Sequence, residues 1–335
     1  MAKTVSAAPK AAMLIESMRD IGYDLEAALA DVIDNAITAG ATTVRLLTSD
    51  EAGSFRIAVL DDGCGMDASE LISAMTMGSR NPLDERDDED LGRFGLGLKT
   101  ASFSQCRRLT VVSCRDGVAS GATWDLDYVA EVDDWLLTIP DDAAEVPWAS
   151  ELGETGTLVL WEKLDRLVDG SAFSKTFDQE RHLVERLDDA RQHLELVFHR
   201  FLAGEHPARK IEITLNGSPL EAFDPFNSNH PATQWGPIEK MRVDGEVVTL
   251  RACTLPHFSK VTQSQWDCYG GRGGYLKSQG FYLYRANRLI IHGTWFGLAR
   301  QTILTQLSRV RIDMPNGLDA RWKVDVKKSL VMTNV

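Results

Sequence analysis

The stretch LADVIDNAITAGA, residues 29–41, carries apolar residues at helical spacing and puts Asp31 and Asn35 four positions apart, on one face of a helix. Asp34 is a near neighbour of both. A carboxylate and an amide on one face suit the orientation of water and the holding of a hydrated Mg²⁺, which needs few protein ligands. Taken alone, the spacing is commoner on a solvated helix surface. Its meaning depends on three further stretches downstream.

The first is LDDGCGMD, residues 60–67, an apolar strand that ends in Asp61-Asp62 and turns through Gly63 and Gly65 to Met66. A carboxylate at a strand end between glycines can accept a hydrogen bond from an exocyclic amine while backbone approaches a flat ring. The next is DLGRFGLGLKTAS, residues 90–102, with Gly92, Gly95 and Gly97 just ahead of a predicted helix and Lys99 in its first turn. Exposed amides at a helix start form an anion site, and Lys99 either neutralises a phosphate oxygen, the favoured reading, or projects outward from the helix start. The spacing is not that of a P-loop, and no strand leads straight into it as the dinucleotide fingerprint requires. Last comes GETGTLVLW, residues 153–161, where Gly156-Thr157 opens a strand and offers a hydroxyl.

Each stretch is weak evidence, but their order along one chain resembles the ATP site of the gyrase, heat-shock chaperone, histidine kinase and MutL (GHKL) superfamily. The likeness is greatest to microrchidia (MORC) ATPases and their prokaryotic relatives. It implies an α/β protein, an α+β two-layer sandwich with a Bergerat-type ATP-binding domain and mixed sheet over residues 1–228. A lid would cover about residues 75–98, and an S5-like α/β transducer domain would follow over residues 229–335. Carried over by position, the resemblance makes Asp61 the adenine-reading carboxylate beside Gly63, Gly65 and Met66, with Thr157 in support. Asn35 becomes the Mg²⁺ ligand. Gly92, Arg93, Phe94, Gly95, Leu96, Gly97, Leu98 and Lys99 form the phosphate cradle, and Arg80 and Asn81 fall in the lid. Asp31 stands where many relatives have the glutamate that activates water, one methylene shorter. Lys327 and Lys328, with Lys323 behind them, are candidates for the transducer lysine that meets the terminal phosphate.

Composition bounds the rest. At 335 residues and 44% hydrophobic, the chain is long enough for two domains and too apolar for disorder. No stretch approaches a membrane span, and the first residues lack the apolar run of a signal peptide, so the expectation is a cytoplasmic protein without a membrane partner. The five cysteines include no Cys-x-x-Cys pair and the seven histidines no metal-ligand spacing, which argues for reduced thiols and no structural zinc. Net charge is −13 overall, yet residues 229–335 hold 15 Lys and Arg against seven Asp and Glu, a net of +8. Such opposed halves suit an anionic partner for the second domain, DNA foremost. The expectation is therefore an ATP- and Mg²⁺-dependent ATPase that closes a lid, forms a homodimer and clamps or remodels DNA, with genome defence as a setting. A protein chaperone and a nucleotide-gated scaffold with little turnover are the rivals. The finish soon after a transducer-like segment suggests further sequence beyond Val335.

The element pattern predicts helices over 10–19 and 25–39, strands at 43–47, 55–60, 109–114, 124–128 and 157–161, and a long helix over 179–202. Asn216-Gly217 predicts a tight turn after a strand at 211–215, and strands follow at 280–284 and 288–291.

Overall fold

The computed structural model describes residues 9–20, 23–51, 54–78, 97–168, 176–271 and 273–318. They divide into two compact units, one of residues up to 191 together with 212–220, the other of residues 192–211 and 221 onward. The loop at 222–231, where the sequence suggests a domain boundary, lies in the second unit.

The first unit begins with α1 (Ala11–Arg19) and α2 (Leu25–Thr38), followed by β1 (Thr43–Glu51) and β2 (Ser54–Asp61). Then come α3 (Ala68–Met75), α4 (Gly97–Phe103), β3 (Arg108–Arg115), β4 (Val118–Asp125) and α5 (Leu126–Val132). The remaining elements are β5 (Gly156–Glu162), α6 (Asp165–Val168), α7 (Thr176–Val197), whose last residues belong to the second unit, and the short strands β6 (Glu212–Leu215) and β7 (Ser218–Pro219). The sheet runs β4-β3-β5-β2-β1-β6-β7 and is mixed, because β6 joins β1 in parallel.

Ile57 to Leu60 are all buried, since both faces of this sheet are covered. Leu60, Val112, Leu158 and Leu160 meet Ala149 and its neighbours on one side. On the other, Trp161 Nε1 donates to Ser102 Oγ of α4 at 2.8 Å and Trp124 Nε1 to the Met75 carbonyl of α3 at 3.0 Å. An indole buried without a partner would forfeit a hydrogen bond, so these contacts set the height of both helices over the sheet. The strand expected at 124–128 is a correction: β4 stops at Asp125, whose carboxylate accepts from the Asp127 amide and starts α5. Asn216 and Gly217 take φ of 49° and 79°, as a two-residue hairpin turn with both centres left-handed demands.

The second unit contains α8 (His199–Ala203), β8 (Gln234–Val243), β9 (Glu246–Thr254), α9 (Gln263–Gly270), α10 (Gly274–Ser278), β10 (Gly280–Arg285), β11 (Arg288–Thr294) and β12 (Ser308–Met314). Its sheet runs β11-β10-β12-β9-β8, again mixed, with β10 and β12 parallel. One face is aliphatic, built from Val248, Leu283, Ile290, Ile291, Ile312 and Met314. The other is aromatic and polar. There His199 Nε2 and the Tyr284 hydroxyl lie 2.8 Å apart, and Arg200 stacks on the Tyr284 ring and pairs with Asp313 at 2.5 Å. The expected helix over 179–202 instead breaks at Phe198 into α7 and α8, and Gly204 ends α8 at φ +65°.

Arg19 ties the first unit together. Its Nε donates to the Phe103 carbonyl at the end of α4 at 2.8 Å, Nη2 pairs with Asp165 at 2.5 Å, and the side chain is buried. Replacing it leaves a buried carbonyl unsatisfied and Asp165 without its cation, so Arg19→Met is expected to cost roughly 2–3 kcal/mol, less than for a fully buried pair because Asp165 is one-third exposed. Native-state hydrogen exchange at the amides of α4 and β5 reads this; unchanged protection would show that Arg19 carries no such load.

Candidate functional site

Helix α2 brings Asp31 and Asn35 to the site on successive turns. Asp31 is 4% exposed, its Oδ2 accepts from the Tyr23 hydroxyl at 2.9 Å, and the same oxygen lies 3.8 Å from where a Cβ on Gly97 would stand. The carboxylate therefore sits beside the first residue of α4. Asn35 is exposed, while Asp34 beside it is buried.

The turn after β2 is fastened to the end of the same helix. The Ala39 amide donates to the Asn35 carbonyl at 2.8 Å, and the Cys64 amide donates to the Ala39 carbonyl at 2.9 Å. Asp61 ends β2 opposite Thr157 of β5, and its Oδ1 accepts from the Gly63 amide at 2.8 Å. Two glycines make this approach possible. A Cβ on Gly65, at φ +64°, would stand 1.9 Å from the Cys114 carbonyl oxygen, and one on Gly156, at φ +142°, 2.3 Å from that of Asp61. No side chain fits either place.

Ser113, which sequence reasoning missed, is the polar centre of this corner. Its Oγ accepts from the Met66 amide at 2.8 Å and lies 2.9 Å from Thr157 Oγ1 and 3.1 Å from the Gly156 carbonyl. One buried hydroxyl thus joins the turn, β3 and β5. Tyr23 was missed likewise; its carbonyl accepts from Gln105 Nε2 at 2.8 Å, fixing the ring that holds Asp31. Neither residue belongs to a motif. Asp62, next to Asp61, faces away and accepts from the Thr42 amide and hydroxyl, both at 2.6 Å, and the Thr43 amide at 2.8 Å, which fixes the strand end.

Lys99 has partners other than the phosphate expected of it. It is buried, and its Nζ donates to the carbonyls of Ala74 and Thr76 at 2.7 and 2.8 Å, at the C-terminal end of α3, where the helix dipole favours a cation. Gly97 and Leu98 open α4 and are half-buried. Gly92, Arg93, Phe94, Gly95 and Leu96, Arg80 and Asn81 of the expected lid, and Lys323, Lys327 and Lys328 lie outside the described residues. Among the described residues no group of three His, Cys, Asp or Glu could hold a metal by itself. An exposed amide such as Asn35 still suits Mg²⁺ that arrives with a phosphate, because that ion keeps most of its waters. The corner at Asp61, with a carboxylate acceptor, a hydroxyl and glycines that let backbone come close, suits a flat amino-bearing ring.

Burial pushes Asp61 up to about 6 from an ordinary 3.8; the Gly63 amide opposes this, the neighbouring Asp62 charge adds to it, and the Thr157 amide opposes it. Because the folded pKa is the higher one, the folded state binds the extra proton, and stability falls as pH rises from about 4 to 6. The loss amounts to roughly 2–3 kcal/mol, fully present above the folded pKa. Asp61→Asn should remove that slope and gain on the parent from pH 4 to pH 7, in melting temperatures recorded across the range. Parallel profiles for the two proteins would contradict the burial cost.

Comparison with known proteins covers the same part of the chain. Residues 23–156 match the family described as histidine kinase-, DNA gyrase B-, and HSP90-like ATPase. The DNA mismatch repair protein MutL of Sphingopyxis alaskensis is 31% identical over 139 residues, 41% of this chain and 20% of that protein. ATPase morc-1 of Caenorhabditis elegans is 32% identical over 91 residues, 27% of this chain and 10% of that protein, and human ATPase MORC2 is 37% identical over 82 residues, 23% and 8%. The chain thus spans a fifth or less of these relatives' length. The matched segment contains α2, the Asp61 turn, α4 and the start of β5, and over that segment the chain is similar to this ATPase family.

Proposed function

We propose that the chain binds ATP with Mg²⁺ and hydrolyses it slowly, and that the bound nucleotide closes a lid and favours a homodimer that clamps or remodels DNA. The observation that carries the reading is the corner where Asp61, Thr157 and Ser113 meet at glycine-lined backbone, fastened through Ala39 to the helix that bears Asn35 and Asp31. Asp61 accepts from the adenine amine, with Thr157 beside it. Asn35 holds Mg²⁺, and the amides from Gly92 to Leu98 take the phosphates. Lys327 or Lys328 reaches the terminal phosphate, so the bound state of the nucleotide is felt beyond the site.

In hydrolysis Asp31 accepts a proton from water as the water oxygen bonds to the γ-phosphorus and the bridging oxygen leaves with ADP. Mg²⁺, when bound, would neutralise charge on the phosphates. Tyr23 orients the Asp31 carboxylate through the 2.9 Å bond to Oδ2. An aspartate at this place reaches less far than a glutamate, which suits slow turnover. The matched relatives bear the names ATPase and DNA mismatch repair protein, and the +8 segment of residues 229–335 supports an anionic partner for this chain. Among the described residues no helix is long and apolar enough to cross a membrane, and work on DNA in the cytoplasm is the corresponding setting.

The contrast between two variants tests the assignment. Asp31→Asn is expected to bind ATP with parental affinity in calorimetry while turnover falls about 10²- to 10⁴-fold, as for loss of a general base. Asp61→Ala is expected to lose ATP binding itself. Turnover at the parental rate in Asp31→Asn would move the base elsewhere, with Asp34 next in line, and unchanged affinity in Asp61→Ala would take Asp61 out of the site.

A further inference from the structure

Between β11 and β12 the chain runs through a loop, residues 295–307, that presents three large aliphatic side chains to solvent: Leu298 at 74%, Ile303 at 74% and Leu304 at 96% exposure. The loop backbone is nevertheless firmly framed. Gln279, fully buried, accepts at Oε1 from Trp295 Nε1 at 3.2 Å, the Thr302 amide at 3.3 Å and Thr305 Oγ1 at 2.6 Å. Its Nε2 donates to the Thr302 and Leu276 carbonyls at 3.1 and 2.9 Å. Gln301 Nε2 adds a bond to the Gly293 carbonyl at 3.0 Å and reaches the Lys277 carbonyl at 3.4 Å. So many bonds spent on a loop whose aliphatic side chains touch little of their own protein call for an external contact.

Charge indicates what that contact is. From residue 268 to residue 312 there is no Asp or Glu, 45 consecutive positions in a chain that has 49 such residues. Arg300 within the loop and Lys277 beside it are exposed. A segment of protruding aliphatics, with flanking cations and no carboxylate of its own, complements a polyanion that can also accept an apolar group. Duplex DNA does so at its base steps, where an inserted Leu or Ile unstacks neighbouring pairs and bends the helix. A lipid surface rewards a broad apolar face, as on an amphipathic helix. Three side chains on a stiff loop make a narrow wedge.

We propose that residues 298–304 form a wedge that enters a DNA base step, with Arg300 and Lys277 on the flanking phosphates. This rests on DNA as the partner of the second unit and adds how the DNA is deformed. Deformation here is independent of sequence, since aliphatic groups read no base edges.

The test uses the full chain and a mixed-sequence duplex carrying 2-aminopurine at internal positions, with anisotropy measured at two salt concentrations. The parent should bind in a salt-dependent way and raise 2-aminopurine fluorescence several-fold as bases unstack. The double variant Ile303→Ser, Leu304→Ser should keep the salt slope, bind within about tenfold of the parent, and lose the fluorescence rise. Both side chains are exposed, so the variant's melting temperature should equal the parent's. Arg300→Ala should lower the salt slope by about one. Salt-dependent binding without a fluorescence rise in the parent overturns the wedge and leaves DNA as the partner. A rise retained by the double variant overturns it too. Absence of DNA binding at either salt removes both readings. Vesicles containing phosphatidylserine that sediment the parent but not the double variant, with flat 2-aminopurine signal, would assign the loop to lipid instead.

Discussion

The approach of the β2 turn to β3 and β5 governs the first unit. Gly65 and Gly156 let three strand ends come within a distance that a single methyl would forbid, and Ser113 then joins them through one hydroxyl. Asp61 is where it is because these backbones close around it. The same turn, through Cys64 and Ala39, sets the end of α2 and hence the placement of Asn35. A side chain at either glycine would separate the strands and displace all the groups at once. Strand ends thus hold the Asp61 corner in place.

That closeness has a cost, and Asp61 carries it. A carboxylate drawn into a corner of low polarity loses water that one amide from Gly63 and one from Thr157 only partly replace. Asp62 beside it, whose charge adds to that cost, is satisfied by Thr42 and Thr43 and keeps the strand end in register. Two adjacent aspartates therefore do opposite work: one fixes backbone and the other is left with bonding capacity for a ligand. Such an excess of acceptor capacity at a half-buried carboxylate is what a binding site needs and a merely structural residue does not.

Much of this was legible in the sequence because backbone requirements leave marks. Glycines needed at left-handed or crowded positions, a carboxylate at the end of an apolar strand and a carboxylate-amide pair at helical spacing can each be read from residue type and order. Ser113, Tyr23 and Arg19 could not. A serine within a strand has no signature, and its partners Met66 and Thr157 lie 47 and 44 positions away. Arg19 meets Phe103 across 84 positions. Lys99 also donates to the carbonyls of Ala74 and Thr76 at the end of α3, some 25 positions earlier, which its place after the glycines does not announce. Composition reveals that a cation exists, not which carbonyls will surround it once helices pack.

The second unit applies the same lesson to charge. The net of +8 over residues 229–335 suggests a strongly basic surface, but several of its arginines are interior. Arg285, Arg288 and Arg309 are each under 5% exposed, and Arg309 is spent on the carbonyls of Pro225 and Tyr269 and lies over the Tyr282 ring. Arg311 is tied to Asp313 and Glu205. The cations left exposed among the described residues of that segment are Lys240, Arg242, Lys260, Lys277 and Arg300. Lys240 and Arg242 lie on β8, the edge of the sheet, where a cation also discourages pairing with another strand. Since each neutralised phosphate adds about 0.9 to the salt slope, these five described cations would by themselves give a slope of about 4 to 5. From these five alone electrostatics supports weak, sequence-independent association with a polyanion, and the exposed aliphatic groups of the loop at 295–307 are a contact of another kind among the described residues of this unit.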